Sequence, residues 1–334
     1  MVDKPSTIIA IGASAGGVEA IRTIVTALPS DLDAAVFVTL HIGAHQSDLP
    51  WLLSRAGDLP AAHPQDGDPV AAGHIYVAPP DHHMLVEAGH IRLTKGPREN
   101  WARPAIDPLF RSAAQAYGEN VIGVILTGGL NDGTAGLFEI KANGGTAVVQ
   151  NPMDANSASM PESAIASVEV DHVLAADDIG PCLAKLTASR RSKAVRRDEA
   201  LSREENMDAQ FTLNKPVAVT CPDCGGALRQ SELGPLTQFS CHIGHVYTME
   251  VMLSAHFLAV ERFLEQAMRS LSERAELCRI ESAKLARVGT DDDARKRWDA
   301  AEQEALEQTA PLEKLLTREW IHPTADLIEA SRPS

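Results

Sequence analysis

The 334-residue sequence has no apolar run long enough to cross a bilayer. Its longest apolar stretches, such as VIGVIL at 121–126, fall far short of the ~20 residues that a membrane-spanning helix needs. Positive charge is also in deficit, with 30 Lys and Arg against 45 Asp and Glu and a formal net charge of −15. The field of such a surface repels phosphates, which argues against a nucleic-acid partner and against an anionic membrane surface. Cysteine is too scarce for a disulfide framework. There are five, and three of them cluster with metal-ligand spacing, which suits a reducing compartment. The N-terminus runs directly into a strand-like segment without the layout of a signal peptide. A cytoplasmic protein with no direct membrane insertion is therefore expected. What is present suffices for a large core: 44% hydrophobic and 22% charged residues leave room for an α/β domain and a second unit.

From residue 6 to about 187, strand-like and helix-like runs alternate, which predicts a doubly wound, mostly parallel sheet with helices on both faces. Between 74 and 95 the segments HIYVAPP and HMLVEAGHIRLT read as an antiparallel hairpin or meander, with Glu87-Ala88-Gly89-His90 as a turn. The expected organisation is a catalytic domain at 1–187, a charged linker at 188–214, a small Cys/His module at 215–250 and an α-helical hairpin and tail at 251–334. Arg190, Arg191, Lys193, Arg196 and Arg197 in the linker are either solvated or a basic docking patch. In the hairpin, Leu253, Phe257, Val260, Leu264, Ala267 and Leu271 recur at four-three spacing, and Trp298, Ala301 and Ala305 begin a similar seam.

The segment TIIAIGASAGGVEAI, from Thr7 to Ile21, reads as buried strand, Gly-rich turn and helix. That turn serves either a dinucleotide or a raised nucleophile. A dinucleotide site would place an acidic residue at the end of the second strand, where this sequence has His41. Parallel strands bring their carboxyl ends to one edge, so Ser14, His41 and Asp132, each just after a strand-like run, are expected to gather there. An imidazole takes a serine proton and a carboxylate fixes the imidazole, which is the set a serine hydrolase needs. The backbone amides of Ala15 and Gly16 are the first candidates for an oxyanion hole, with Gly128 and Gly129 as further candidates. Gly12 to Gly16 satisfies G-x-S-x-G, but the chain order Ser, His, Asp disfavours an α/β-hydrolase. Arg103 is a candidate for lining the substrate groove. His45, His63, His74, His82 and His83 are read as structural or surface residues.

The segments IGASAGGVEAI, HIGAHQSDLP, HIYVAPPDHHMLV, ARPAIDPLF and LTGGLNDGTAGL, in that order, resemble the motifs of the chemotaxis-type protein-glutamate methylesterase (CheB-like) catalytic domain. The resemblance covers about residues 6–187. It implies hydrolysis of γ-glutamyl methyl esters on methyl-accepting chemoreceptor-type proteins, often with deamidation of glutamines, and a triad of Ser14, His41 and Asp132, with no cofactor for catalysis. The family commonly reads L-T-G-M-G-x-D-G at its aspartate. Here Gly129 and Leu130 replace the Met and Gly, and Ala15 stands where many members have Thr. Members in chemotaxis usually carry a receiver domain ahead of the catalytic one; only about five residues precede the first strand here, so control by a separate regulatory protein is an expectation. The alternative to an active esterase is an esterase-fold scaffold that works through its C-terminal unit.

Cys221-x2-Cys224 and Cys241-x3-His245, separated by sixteen residues, supply ligands in two knuckles with spacing suited to tetrahedral zinc, and Gly225-Gly226 permits the first turn. His242 is the alternative fourth ligand. Four protein ligands leave no open position for a reacting water, so the zinc would be structural in a zinc-ribbon-like module. On this reading the 1–187 fragment is expected to retain esterase activity alone.

Overall fold

The structure, a computed structural model, describes residues 5–41, 47–197, 216–288 and 292–318. It divides into two units, the first holding the residues up to Met252 and the second beginning at Leu253.

The first unit opens with β1 (Thr7–Ala13), α1 (Gly17–Thr26), β2 (Ala34–Leu40), α2 (Leu49–Ala56), β3 (Ala61–Ala62) and β4 (His74–Val77). A hairpin of β5 (His83–Glu87) and β6 (His90–Thr94) follows, then α3 (Ile106–Tyr117), β7 (Val121–Ile125), α4 (Thr134–Ala142), β8 (Thr146–Gln150), α5 (Ser159–Ser167), β9 (His172–Leu174) and α6 (Ala176–Arg197). β3, β4, β2, β1, β7, β8 and β9 form, in that order, a 7-stranded sheet whose pairs are all parallel. Strands covered on both faces must be apolar throughout, and β1 and β2 are buried along their whole length. Alternation along β1 divides the core. Ile8 and Ala10 join the layer with Leu109 and Phe110 of α3, whereas Ile9, Ile11 and Ala13 face Ile21 and Ile24 of α1.

Two expectations need correction. HIYV is not half of a hairpin: β4 pairs parallel with β2, from Ala35↔His74 to Val38↔Val77, while β5 and β6 pair with each other around the expected turn. A short apolar run carries the same signal for either partner. The charged stretch after residue 187 does not begin as a linker, because α6 continues through it to Arg197. Arg190 is held by the sheet, with its Nη2 donating to Thr146 Oγ1 at 2.7 Å. The remainder of the expected linker, from 198 to 215, lies outside the described residues.

A 4-stranded antiparallel ribbon follows: β10 (Pro216–Thr220), β11 (Ala227–Leu233), β12 (Leu236–Cys241) and β13 (Val246–Thr248). Its small core gathers Leu228, Phe239, Tyr247, Val251 and Met252. The ribbon belongs to the same unit as the sheet.

The second unit is an antiparallel pair, α7 (Met249–Val288), whose first turn, up to Met252, belongs to the first unit, and α8 (Asp292–Leu316). Arg274 meets Glu304 at 2.7 Å, Ser282 bonds Asp299, and Ala275, Cys278 and Ala305 are buried. The pairing thus uses the second half of α7. Of the positions expected to form the α7 seam, Leu253 and Val260 are exposed, as is Trp298 on α8.

Candidate functional site

The winding reverses beside β1, which has β2 on one side and β7 on the other. Open α/β sheets form their crevice at such a reversal, beyond the carboxyl ends of the strands. Ser14 follows β1, His41 follows β2 and Asp132 lies between β7 and α4. The β1–β2 register, Ala13↔Leu40, sets Ser14 and His41 at adjacent strand ends, and His41 N–H donates to Ala13 O at 3.2 Å. Ser14 N–H donates to Thr127 O at 2.9 Å, tying its turn to the end of β7.

His41 Nε2 and Asp132 Oδ2 are 2.8 Å apart. With Nε2–H donating to the carboxylate, Nδ1 is the nitrogen left to act as base. Ser14 Oγ forms no hydrogen bond with His41 in this state, and residues 42–46, directly after His41, lie outside the described residues. Asp132 is buried and rich in donors: Ile106 N–H reaches Oδ2 at 2.6 Å, and Asn100 Nδ2 reaches Oδ1 at 3.0 Å. Burial pushes its carboxyl up, but the hydrogen bond and charge of His41, with those two donors, hold it below the usual carboxylate range. Asp107, also buried, behaves in the opposite way. Burial first and the charge of Asp132 second push it well above that range.

The oxyanion candidates divide. Gly17 N–H turns back to Ser14 O at 2.9 Å, and the N–H groups of Ala15, Gly16 and Gly129 have no partner among the described residues. Gly128 N–H is committed to Ser157 O at 3.0 Å, which corrects its candidacy as a donor. Its glycine has a steric reason instead, because an added Cβ would lie 2.8 Å from Ser14 Cβ and would overlap Met160 Sδ. Gly16 sits at φ 75, where an added Cβ would be 2.6 Å from Asn156 Cβ.

A cleft of about 290 Å³ opens beside His41, lined by Asp81, Arg98, Asn100, Trp101, Arg103 and Leu130 among others. Arg103 is there as expected, but its guanidinium is engaged. Nε and Nη2 donate to Asp81 Oδ1 at 2.9 and 2.7 Å, and Nη1 donates to Gly96 O at 2.8 Å. The Arg103 hydrogen bond in turn holds the Asp81 carboxyl below its ordinary value. His63, His74, His82 and His83 each bond a backbone carbonyl, of Val77, Ala72, Pro80 and Pro97 respectively. His45 lies outside the described residues.

In the ribbon, Cys221, Cys224, Cys241 and His245 bring one ligand atom each within 4.8 Å of the others. Cys224 and Cys241 sulfurs are 3.7 Å apart, and His245 Nδ1 is 3.6 Å from Cys221 Sγ and 3.5 Å from Cys241 Sγ. A regular tetrahedron with Zn–S ~2.3 Å and Zn–N ~2.0 Å has S···S edges of ~3.8 Å and S···N edges of ~3.5 Å. The donor set fits zinc. His245, rather than His242, faces the cluster, and Gly225 N–H → Cys221 O and Gly244 N–H → Cys241 O close the two knuckles.

Asn100 and Asp107 were not singled out from sequence. Both sit in or next to the ARPAIDPLF stretch, where a buried acid at a helix start was the available signal.

Together, the sheet reversal and the three strand-end side chains define a doubly wound α/β protein with Ser, His and Asp at its carboxyl edge. The chain belongs to the CheB methylesterase family, which matches residues 9–183. A Leptospira interrogans relative, provisionally named a protein-glutamate methylesterase/protein-glutamine glutaminase, is 41% identical over 181 residues, or 53% of this chain and 93% of that protein. One from Hydrogenovibrio crunogenus with the same name, without the proviso, is 39% identical over 178 residues, which span 51% of this chain and only 47% of the relative. The Thermotoga maritima CheB methylesterase catalytic domain superposes with a TM-score of 0.53 at 33% identity, covering 55% of this chain and all of that one. All three matches leave roughly the second half of this chain uncovered.

Proposed function

We propose that this chain is a serine hydrolase that removes methyl groups from γ-glutamyl methyl esters of methyl-accepting chemoreceptor-type proteins and also deamidates glutamine side chains at the same site. The observation that carries the reading is the His41–Asp132 pair at 2.8 Å on the same sheet edge as Ser14. Ser14 Oγ attacks the ester carbonyl as His41 takes its proton. His41 then returns that proton to departing methanol, and water repeats the sequence on the acyl-enzyme. Asp132 orients the ring and stabilises the imidazolium. The N–H groups of Ala15, Gly16 and Gly129 are the donors available to the oxyanion. Ester and amide differ only in the leaving group, methanol or ammonia, so one constellation serves both.

In the ribbon, Cys221, Cys224, Cys241 and His245 would hold a structural zinc, which supplies folding energy and no reacting group. Among the described residues no helix is long and apolar enough to cross a membrane. A cytoplasmic site of action is part of this reading, supported by the metal-ligand spacing of three of the five cysteines, which suits a reducing compartment.

The test is methanol release from a methylated receptor, with fluorophosphonate labelling read by mass spectrometry at Ser14. Ser14→Ala and His41→Ala should each lower release by roughly 10³-fold or more with the fold intact. Undiminished release in either variant would remove the triad, and a folded wild type that neither labels nor releases methanol would favour a scaffold.

A further inference from the structure

The ribbon grips the loops that carry the acid of the site. β13 ends at Thr248, whose backbone N–H donates to Asn100 Oδ1 at 3.1 Å and whose hydroxyl donates to Asn131 Oδ1 at 2.7 Å. Val246 O accepts from Asn100 N–H at 2.9 Å, and Glu250 Oε2, in the first turn of α7, accepts from Asn131 Nδ2 at 2.6 Å. Asn100 then directs its Nδ2 protons to Asp107 Oδ2 and Asp132 Oδ1, each at 3.0 Å. An amide has two unlike ends. With its oxygen held by Thr248 N–H, the NH2 end must face Asp132; the flipped amide would set oxygen against the Asp132 carboxylate and NH2 against an N–H. The ribbon thereby selects which end of Asn100 meets Asp132.

The backbone supports the same reading. Asn100, Trp101 and Leu130 have φ of 48, 63 and 61, in the left-handed region that residues with a Cβ seldom adopt. Such conformations persist where the surroundings over-determine them. Here the surroundings are the ribbon: Trp101 and Leu130 pack against its core cluster and also line the cleft beside His41.

We propose that the docked ribbon is a positioning element of the esterase site, in which Thr248 and Asn100 lock Asp132, and His41 through it, in the geometry for proton transfer. The proposal rests on the hydrolase reading above and reverses the expectation that residues 1–187 suffice for full activity.

The experiment uses the full chain. Thr248→Val keeps the volume and the backbone N–H but loses the hydroxyl donated to Asn131. It should lower kcat on a small methyl ester roughly five- to tenfold, with KM and zinc content unchanged, while Thr248→Ser restores the rate. Asn100→Ala should lower kcat further. Hydrogen exchange at residues 99–107 and 130–134 should quicken in both variants, and in wild type treated with EDTA. Wild-type kcat in Thr248→Val and Asn100→Ala would overturn the proposal. So would EDTA-treated protein whose ribbon amides exchange freely while kcat and exchange at 130–134 stay unchanged. A wild type without esterase turnover would instead refute the hydrolase reading, and exchange at Asn131 and Asp132 would still decide whether the ribbon holds the acid loop.

Discussion

Replacing Asp107 by asparagine probes the charge arrangement beside Asp132. One amide, Asn100 Nδ2, serves both carboxyls at 3.0 Å, while Asp107 Oδ1 accepts Gly136 N–H at 2.7 Å. Two carboxylates so close in a dry site do not both ionise, and His41 and Ile106 N–H give the charge to Asp132. Asp107 therefore keeps its proton to higher pH than an ordinary carboxyl does. Its folded pKa lies above the ordinary carboxylate value of ~3.9, so its contribution to stability is intact below about pH 4 and is lost as pH rises, by up to ~1.4 kcal/mol per pH unit, until the folded group ionises. Asparagine removes that loss, but its NH2 cannot accept from Asn100, a constant deficit of ~1–3 kcal/mol. At pH 4 the variant should melt below wild type, and the gap should narrow by about 3–6 °C per pH unit above that. Asp132→Asn should behave inversely. The stability that Asp132 supplies is fully present above its unfolded value and lost as pH falls through its lowered folded pKa, so that deficit is full and constant from about pH 5 upward and shrinks only when the melts are carried below about pH 4. Thermal melts of the full chain in steps from pH 4 to 8 provide the assay. An Asp107→Asn gap that stays constant across that range would refute a raised Asp107 pKa.

Gly128→Ala should destabilise the chain by ~1–3 kcal/mol through overpacking against Ser14 and Met160, and should lower methanol release by about tenfold or more through displacement of Ser14; melts and the release assay check the two effects separately. Protein purified without chelator should carry close to one zinc per chain, and Cys221→Ser or Cys241→Ser should lose it and expose residues 216–252 to proteolysis, with elemental analysis as the readout.

The sheet and the strand-end triad positions were legible because each rests on a local signal: continuous apolar runs for β1, β2 and β7, and polar residues where those runs stop. The Cys/His cluster was legible from spacing alone. HIYV was misassigned because a four-residue run cannot announce its partner, and β4 finds β2 by a crossover that sequence separation hides. The α7 seam misled for a different reason. Four-three spacing identifies an apolar face but not which of its positions are covered: Leu253 and Val260 are exposed, while Phe257, Leu264, Ala267 and Leu271 are partly buried. Asn100 was not legible, because its role depends on two partners, Thr248 and Asp132, that lie 148 and 32 residues away.

One departure in the aspartate loop, Leu130, is physically linked to the ribbon. The family pattern has glycine where this chain has Leu130, and φ 61 at that position is a conformation glycine adopts at little cost and leucine does not. A leucine there is retained only if its side chain gains more from burial than the backbone loses. Leu130 is partly buried against the ribbon core, as is Trp101, and roughly half of the ~1.5–3 kcal/mol that a fully buried leucine gains is comparable to the ~1–2 kcal/mol cost of a left-handed residue. Without a ribbon, the same leucine would combine a strained backbone with an exposed side chain on the wall of the cleft. Leu130 therefore packs with the Cys/His module as one unit, two residues from Asp132 along the chain.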